Sequence, residues 1–426
     1  VTEGAPSGYS RRTFLGIAAG AGASAVIGGI GGGLLVAGTQ AARQADSPAP
    51  GSGSTVAFEG AHQAGIARPA IPQPNAVIAS FDVVAASKAG LEAALLELTA
   101  RSRLLAKGWS PEAGDPLYPP EESGILGATT GPAELTVTVG VGASLFDDRF
   151  GLAAARPKQL VEMPHFPNDQ LDPEHCHGDL LIQICAADEL ATVHALRFLM
   201  TGTRDSMRLR WMLNGFHRPN ATPTPGHTTT RNLLGFKDGT ANPNPDETPL
   251  MDRVVWVGAG DGEPAWATGG SYMVVRQIRM FVERWDRTAL LEQEKIIGRT
   301  KRTGAPLGAD REEDIPSYAD DADGARIPID AHVRLANPRT AETERNLIFR
   351  RGYSYSRGFD DAGLLDQGLL FVCFQRDLEA GFVAVQKRLA GERLEEYIRP
   401  VGGGYFFALP GVTSAVGFLG EGLLRT

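Results

Sequence analysis

The sequence predicts an α+β fold built from two ferredoxin-like halves, each running β-α-β-β-α-β. Three observations predict it: the order of hydrophobic periods in the first part of the chain, the return of that order in the second part, and a length of 426 residues, too great for one ordinary compact unit. Two such halves imply either two sheets packed face to face or a closed barrel-like pair.

The first half, residues 76 to 230, opens with AVIASFDVV (76 to 84), a continuous apolar run that reads as a buried strand. LEAALLELTARSRLL (91 to 105) puts Leu91, Leu95, Leu98 and Leu105 on one helical face. In LTVTVGV (135 to 141) Leu135, Val137, Val139 and Val141 alternate with Thr and Gly, the period of a strand. DLLIQICAA (179 to 187) reads as a strand, ELATVHALRFLM (189 to 200) as a helix and MRLRWML (207 to 213) as a closing strand. The second half, residues 231 to 426, repeats the order. SYMVVRQIRMFVERW (271 to 285) is a long strand and LLEQEKIIGR (290 to 299) a helix; RNLIFRR (345 to 351) and GLLFVCFQR (368 to 376) are strands. LEAGFVAVQKRL (378 to 389) is a helix and GYFFALP (404 to 410) the last strand. The insertion at residues 300 to 343 lacks apolar periodicity, and long loops of this kind tend to carry function.

Residues 1 to 45 read as an address rather than as part of the fold. SRRTFLG (10 to 16), followed by an uncharged Gly/Ala-rich run from Thr13 to Ala42, resembles a twin-arginine export signal. Export to the extracellular space or cell envelope is therefore expected, with membrane contact only through that signal. Residues 46 to 75, rich in Pro, Ser, Gly and Ala, read as a flexible linker. Without residues 1 to 45 the chain has 38 basic and 49 acidic residues, a net charge of −11. So acidic a chain has no electrostatic footprint for nucleic acid. Cys176, Cys185 and Cys373 cannot all pair and read as buried thiols.

Candidate chemistry sits in loops. RNLLGFKDGTANP (231 to 243) ends an apolar run at Lys237, Asp238 and Gly239, and Asp-Gly followed by Asn-Pro is good turn chemistry. HCHGD (175 to 179) offers too few ligands for a metal centre. His332 lies inside the long insertion, in RIPIDAHVRLANPR, and Arg350 and Arg351 end the apolar run of RNLIFRR, where a buried guanidinium needs an anion or an acid.

GFKDGTANP, AHVRLANPR, IFRRGYSY, GLLFVCFQ and GGGYFF, in this order, resemble the motifs of the dye-decolorising peroxidases, in particular their exported, iron-uptake-associated branch. The resemblance spans most of residues 75 to 420 and implies a dimeric α+β barrel-type fold with one haem b in the second half. It implies His332 as the proximal iron ligand, and Asp238 and Arg350 beside the bound hydrogen peroxide. Gly239, Thr240, Ala241, Asn337, Pro338 and Arg339 are expected beside the haem, with Arg339 pairing a propionate. Leu369 and Phe371 are expected to roof the peroxide site or else to be ordinary core. Glu396 is the candidate acid on the second nitrogen of His332, or else a solvated helix-end charge. The implied activity is reduction of hydrogen peroxide with oxidation of organic donors such as dyes and phenols, through a ferryl state. The alternatives are release of iron from haem with the porphyrin intact, as in a deferrochelatase, and haem carriage without turnover. Tyr353, Tyr355, Trp256 and Trp266 are the aromatic residues expected to relay electrons from the surface.

Overall fold

The computed structural model describes residues 54–112, 114–218, 229–414 and 416–426. The export signal read at residues 1 to 45 lies outside them.

Each predicted half appears as a four-stranded antiparallel unit. The first consists of β1 (Asn75–Val83), α1 (Lys88–Lys107), β2 (Thr136–Gly142), β3 (Leu180–Ala186), α2 (Glu189–Thr203) and β4 (Met207–Phe216). Its strands lie side by side as β4-β1-β3-β2. A short hairpin of β5 (Thr230–Arg231) and β6 (Lys237–Asp238) and helix α3 (Thr248–Val254) lead into the second unit. That unit contains β7 (Ser271–Met280), α4 (Val282–Trp285), α5 (Leu290–Ile297), α6 (His332–Ala336), β8 (Phe349–Arg350), β9 (Tyr353–Phe359), β10 (Leu365–Gln375), α7 (Ala384–Leu389) and β11 (Ile398–Ala408). Its order, β11-β7-β10-β9, is the same arrangement as in the first half. β11 pairs with β2 and β4 meets β9, so the sheet closes on itself. Of the two arrangements open to the sequence, the barrel is the one formed, and closure removes the sheet edges.

Both faces of the strands are covered, which is why they read as continuous apolar runs. Ala76 and Ile78 of β1 point into the barrel interior with Leu181, Cys185, Val275 and Phe406. Val77, Ala79 and Phe81 point outward under α1 and α2, against Leu91, Leu95 and Leu98. Both helices start on side-chain caps: Ser87 Oγ accepts from the Gly90 amide and Asp188 Oδ1 from the Ala191 amide.

Three expectations need correction. The strand expected over 271 to 285 ends at Met280, because the chain turns into α4 and buries Trp285, whose indole N–H donates to the Leu234 carbonyl at 2.9 Å. The strand expected over 345 to 351 is only β8, and the barrel strand is β9, whose Tyr353 and Tyr355 point inward. The expected linker is packed from residue 54 onward. Gln63 Nε2 donates to the carbonyls of Val139 and Leu409, Gln63 Oε1 accepts from the Val139 amide, and Ile66 is buried in the barrel interior. A Pro- and Gly-rich segment is ordered here because buried amide side chains satisfy backbone groups on both sides of it.

Candidate active site

The β5–β6 hairpin is shaped by its own residues. Asn232 Oδ1 accepts from the amides of Leu234 and Phe236, Gly235 has a φ of 85°, and the two apolar side chains are buried. Asp238 ends β6, and Gly239 follows with a φ of 118°, in the left-handed region that suits glycine. Asp238 Oδ1 accepts from Arg350 Nη1 at 2.7 Å. A second tie holds this pair in register. Asn242 Oδ1 accepts from the Arg350 amide at 2.7 Å, and Asn242 Nδ2 donates to the Arg350 carbonyl at 2.9 Å. Nothing in the sequence assigns Asn242 this role; its one signal there is its place three residues beyond Gly239 in the same turn.

His332 opens α6, a helix of five residues whose C-terminal carbonyls, Leu335 and Ala336, both accept from the guanidinium of Arg388. Nδ1 of His332 lies 2.7 Å from Oε2 of Glu392, which is buried. An ionised carboxylate only accepts, so the imidazole keeps its proton on Nδ1 and leaves the Nε2 lone pair available. Burial lowers the pKa of His332, but the charge and the hydrogen bond of Glu392 outweigh it and the net shift is upward. The ring is therefore electron-rich. It lies deep in the protein yet leaves 30% of its side-chain surface accessible, because it lines a cavity. Glu396, the acid expected here, is exposed, and its backbone carbonyl accepts from Arg284. GERLEEY holds three acids, Glu392, Glu395 and Glu396, and composition does not choose among them. The chain turn before the short helix at Arg393–Glu396 makes Glu392 the inward one.

One cavity brings the two clusters together. Asp238, Gly239, Thr240, Ala241 and Arg350 line it along with His332 and Glu392. Asn337 and Arg339 line it too, whereas Pro338 does not appear on its wall. Leu369 and Phe371 face it from β10 while Leu370 and Val372 face the barrel interior, as strand alternation requires. Further apolar wall comes from Phe236, Ile278, Met280, Val333 and Leu389. Tyr353, Tyr355, Trp256 and Trp266 are all buried, so none is the surface aromatic the sequence reading expected.

The residues present fit a haem. The cavity is mainly apolar, as a porphyrin needs, and one imidazole with a held outer nitrogen projects into it. Its polar wall has a surplus of positive charge: among the described residues neither Arg299 nor Arg339, both on the wall, is in an ion pair. Burial, then the positive charge of Arg339, holds the pKa of Arg299 below its ordinary value. Two unpaired guanidinium groups in an apolar cavity suit the two carboxylates of a haem.

Comparisons with known proteins agree. The family model for the N-terminal part of Dyp-type peroxidases matches residues 63–217, and that for the C-terminal part matches residues 229–413. A deferrochelatase of Escherichia coli is 54% identical over 389 residues, covering 90% of this chain and 92% of that protein. One of Shigella boydii is 54% identical over 369 residues, covering 86% and 87%. Among solved structures, a DyP-type peroxidase from Cellulomonas bogoriensis has a TM-score of 0.78 at 37% identity, covering 89% of this chain and all (100%) of that one. Ferric DtpA from Streptomyces lividans has a TM-score of 0.79 at 36% identity, with 89% and 100% covered. With both family models matched and the cavity suited to haem, the chain belongs to the Dyp-type peroxidase family and is a haem-dependent oxidoreductase.

Proposed function

We propose that this chain reduces hydrogen peroxide while oxidising organic donors such as dyes and phenols. The observation that supports this reading is the meeting, in one cavity, of the Asp238–Arg350 pair and the His332–Glu392 pair. His332 would hold the iron through Nε2, and Arg299 and Arg339 would receive the propionates. Bound haem supplies the redox centre at which the O–O bond is cleaved.

The protein's own residues handle the proton and the charge. Asp238 keeps a free acceptor, because Oδ1 holds Arg350 while Oδ2 has only a long contact of 3.5 Å from Asn232 Nδ2. It can take a proton from one peroxide oxygen and return it to the other, directly or through one water. Arg350 stays charged throughout and stabilises the negative charge that develops on the departing oxygen. Its backbone is clamped by Asn242, so the guanidinium is placed before peroxide arrives.

The test is stopped-flow absorbance of the haem-loaded chain mixed with one equivalent of peroxide. His332→Ala is expected to lose haem, whereas Asp238→Ala and Arg350→Leu keep it and react roughly 10²- to 10⁴-fold more slowly, the usual weight of a proton-transfer group. A His332→Ala chain with a full complement of normally ligated haem would sink the assignment.

A second reading has its own support. The relatives at 54% identity carry the name deferrochelatase, and the same cavity would hold the porphyrin for removal of its iron. Incubation with haem followed by fluorescence of metal-free porphyrin separates the two: released iron with an intact ring supports the second reading, and donor oxidation with haem retained supports the first. Export by the twin-arginine route is also proposed, on the strength of SRRTFLG at residues 10 to 16. Replacing Arg11 and Arg12 by lysine should leave the protein inside the cell, and unchanged export would refute this.

A further inference from the structure

We infer that Glu312, in the insertion between α5 and α6, is a positioning residue for Asp238. The inference rests on the reading of Asp238 as the proton-transfer group. The Glu312 carboxylate is 11% exposed and grips the chain on both sides of Asp238. Its Oε2 pairs with Lys237 Nζ at 2.6 Å, and its Oε1 accepts from Thr240 Oγ1 at 2.9 Å and from Thr229 Oγ1 on the opposite side of the hairpin. Burial raises the pKa of Glu312, but these donors together outweigh it, so the group is held below the ordinary carboxylate value and is ionised at neutral pH.

The backbone of Glu312 is itself fixed. Arg299 Nη1 donates both to the Glu312 carbonyl at 2.9 Å and to the Gly304 carbonyl at 2.6 Å. Arg299 is buried and lines the cavity, so the anchor of Glu312 is part of the cavity wall. The stem of Lys237 lies against Gly304, where an added Cβ would come within 3.0 Å of Lys237 Cγ.

A staple is needed at this place. Gly239 follows Asp238 directly, and glycine permits more backbone conformations than any other residue. The hairpin that carries Asp238 has only two paired positions, Thr230 with Asp238 and Arg231 with Lys237. Glu312 also neutralises Lys237, which keeps that ammonium from competing with Arg350 for the carboxylate next to it. Asn242 holds the far end of the turn to Arg350, and Glu312 holds the near end to the insertion. Between them the carboxylate of Asp238 has one place to be.

The test compares full-length, haem-loaded Glu312→Gln, Lys237→Met and Asp238→Ala chains with the native one. Two measurements are made: hydrogen exchange of the peptide spanning residues 229 to 242, in the presence and absence of haem, and kcat/KM separately for peroxide and for the donor. The expected result for Glu312→Gln is at least fivefold faster exchange in that peptide with β7 unchanged, and a loss of about tenfold in kcat/KM for peroxide with the donor value intact. Lys237→Met, which removes one arm of the staple, should give the same pattern more weakly, and it decides the matter if Glu312→Gln fails to fold. Native exchange and native peroxide kinetics in the folded variants, with Asp238→Ala slow, would overturn the role of Glu312 and leave that of Asp238. A native peroxide rate in Asp238→Ala would overturn the reading on which the inference rests.

Discussion

If His332 holds the iron as proposed, its ring is oriented by whatever holds its other nitrogen, and here the holder is Glu392 and not Glu396. The difference is open to measurement. Glu392→Gln turns an accepting carboxylate into an amide, makes the ring less electron-rich and should slow the reaction with peroxide by about tenfold to a hundredfold, the range typical of such outer partners. Glu396→Gln, at an exposed site, should leave the rate within about twofold. Stopped-flow traces of the two variants decide it, and equal effects would mean that the 2.7 Å contact is not what tunes the iron. Asp238, Arg350 and His332 were legible in the sequence because each belongs to a motif. Glu392 and Glu312 were not, since their contacts depend on distances between segments that no local pattern records.

At the scale of elements, the strands and the two long helices of the first half were readable because both faces of the sheet are covered and the apolar periods are unbroken. β9 was missed because YSYSRGF carries its inward tyrosines among serines, and only Tyr353 and Tyr355 report the buried face. The strap from residue 54 to β1 was misread for a different reason. Composition measures how freely a segment moves alone, and it is silent about partners such as Gln63, Gln183 and Thr138, whose side chains bond across the strap. Gln63→Ala would take this partner from the Val139 amide and the Leu409 carbonyl, while the Val139 carbonyl keeps the Leu409 amide, and should cost about 2–6 kcal/mol at about 1–3 kcal/mol for each of the two groups. Haem content should not change, since Gln63 does not line the haem cavity. Denaturant unfolding checks it: a native midpoint would show that the strap is dispensable to the barrel.

Over the whole molecule, the two halves share a barrel whose joints are short. β4 meets β9 at Phe216 and Ser354, and β11 pairs with β2 only over Phe406 to Ala408. Side chains must therefore carry much of the connection. Arg276 of β7 forms an ion pair with Asp169, from the segment between β2 and β3, and each side chain is 1% exposed. The guanidinium lies 5.3 Å from the ring centre of Phe166 and 6.0 Å from that of Phe382, so aromatic faces from both halves enclose it. Burial lowers the pKa of Arg276, and the charge of Asp169 opposes that shift. A pair so enclosed gains little net stability, but losing one partner strands a charge in the seam. Asp169→Asn should accordingly cost about 3–5 kcal/mol, and Arg276→Met combined with Asp169→Leu should cost less than Asp169→Asn alone. Because Arg276 also lines the haem cavity, the stranded guanidinium would face the cofactor, and the single variant should lose part of its destabilisation once haem, with its carboxylates, is bound. Unfolding midpoints of the single and double variants, each with and without haem, test both statements. A double variant no more stable than Asp169→Asn would mean that the seam needs the ion pair itself, and a haem-independent penalty would mean that seam and cavity are not coupled through Arg276.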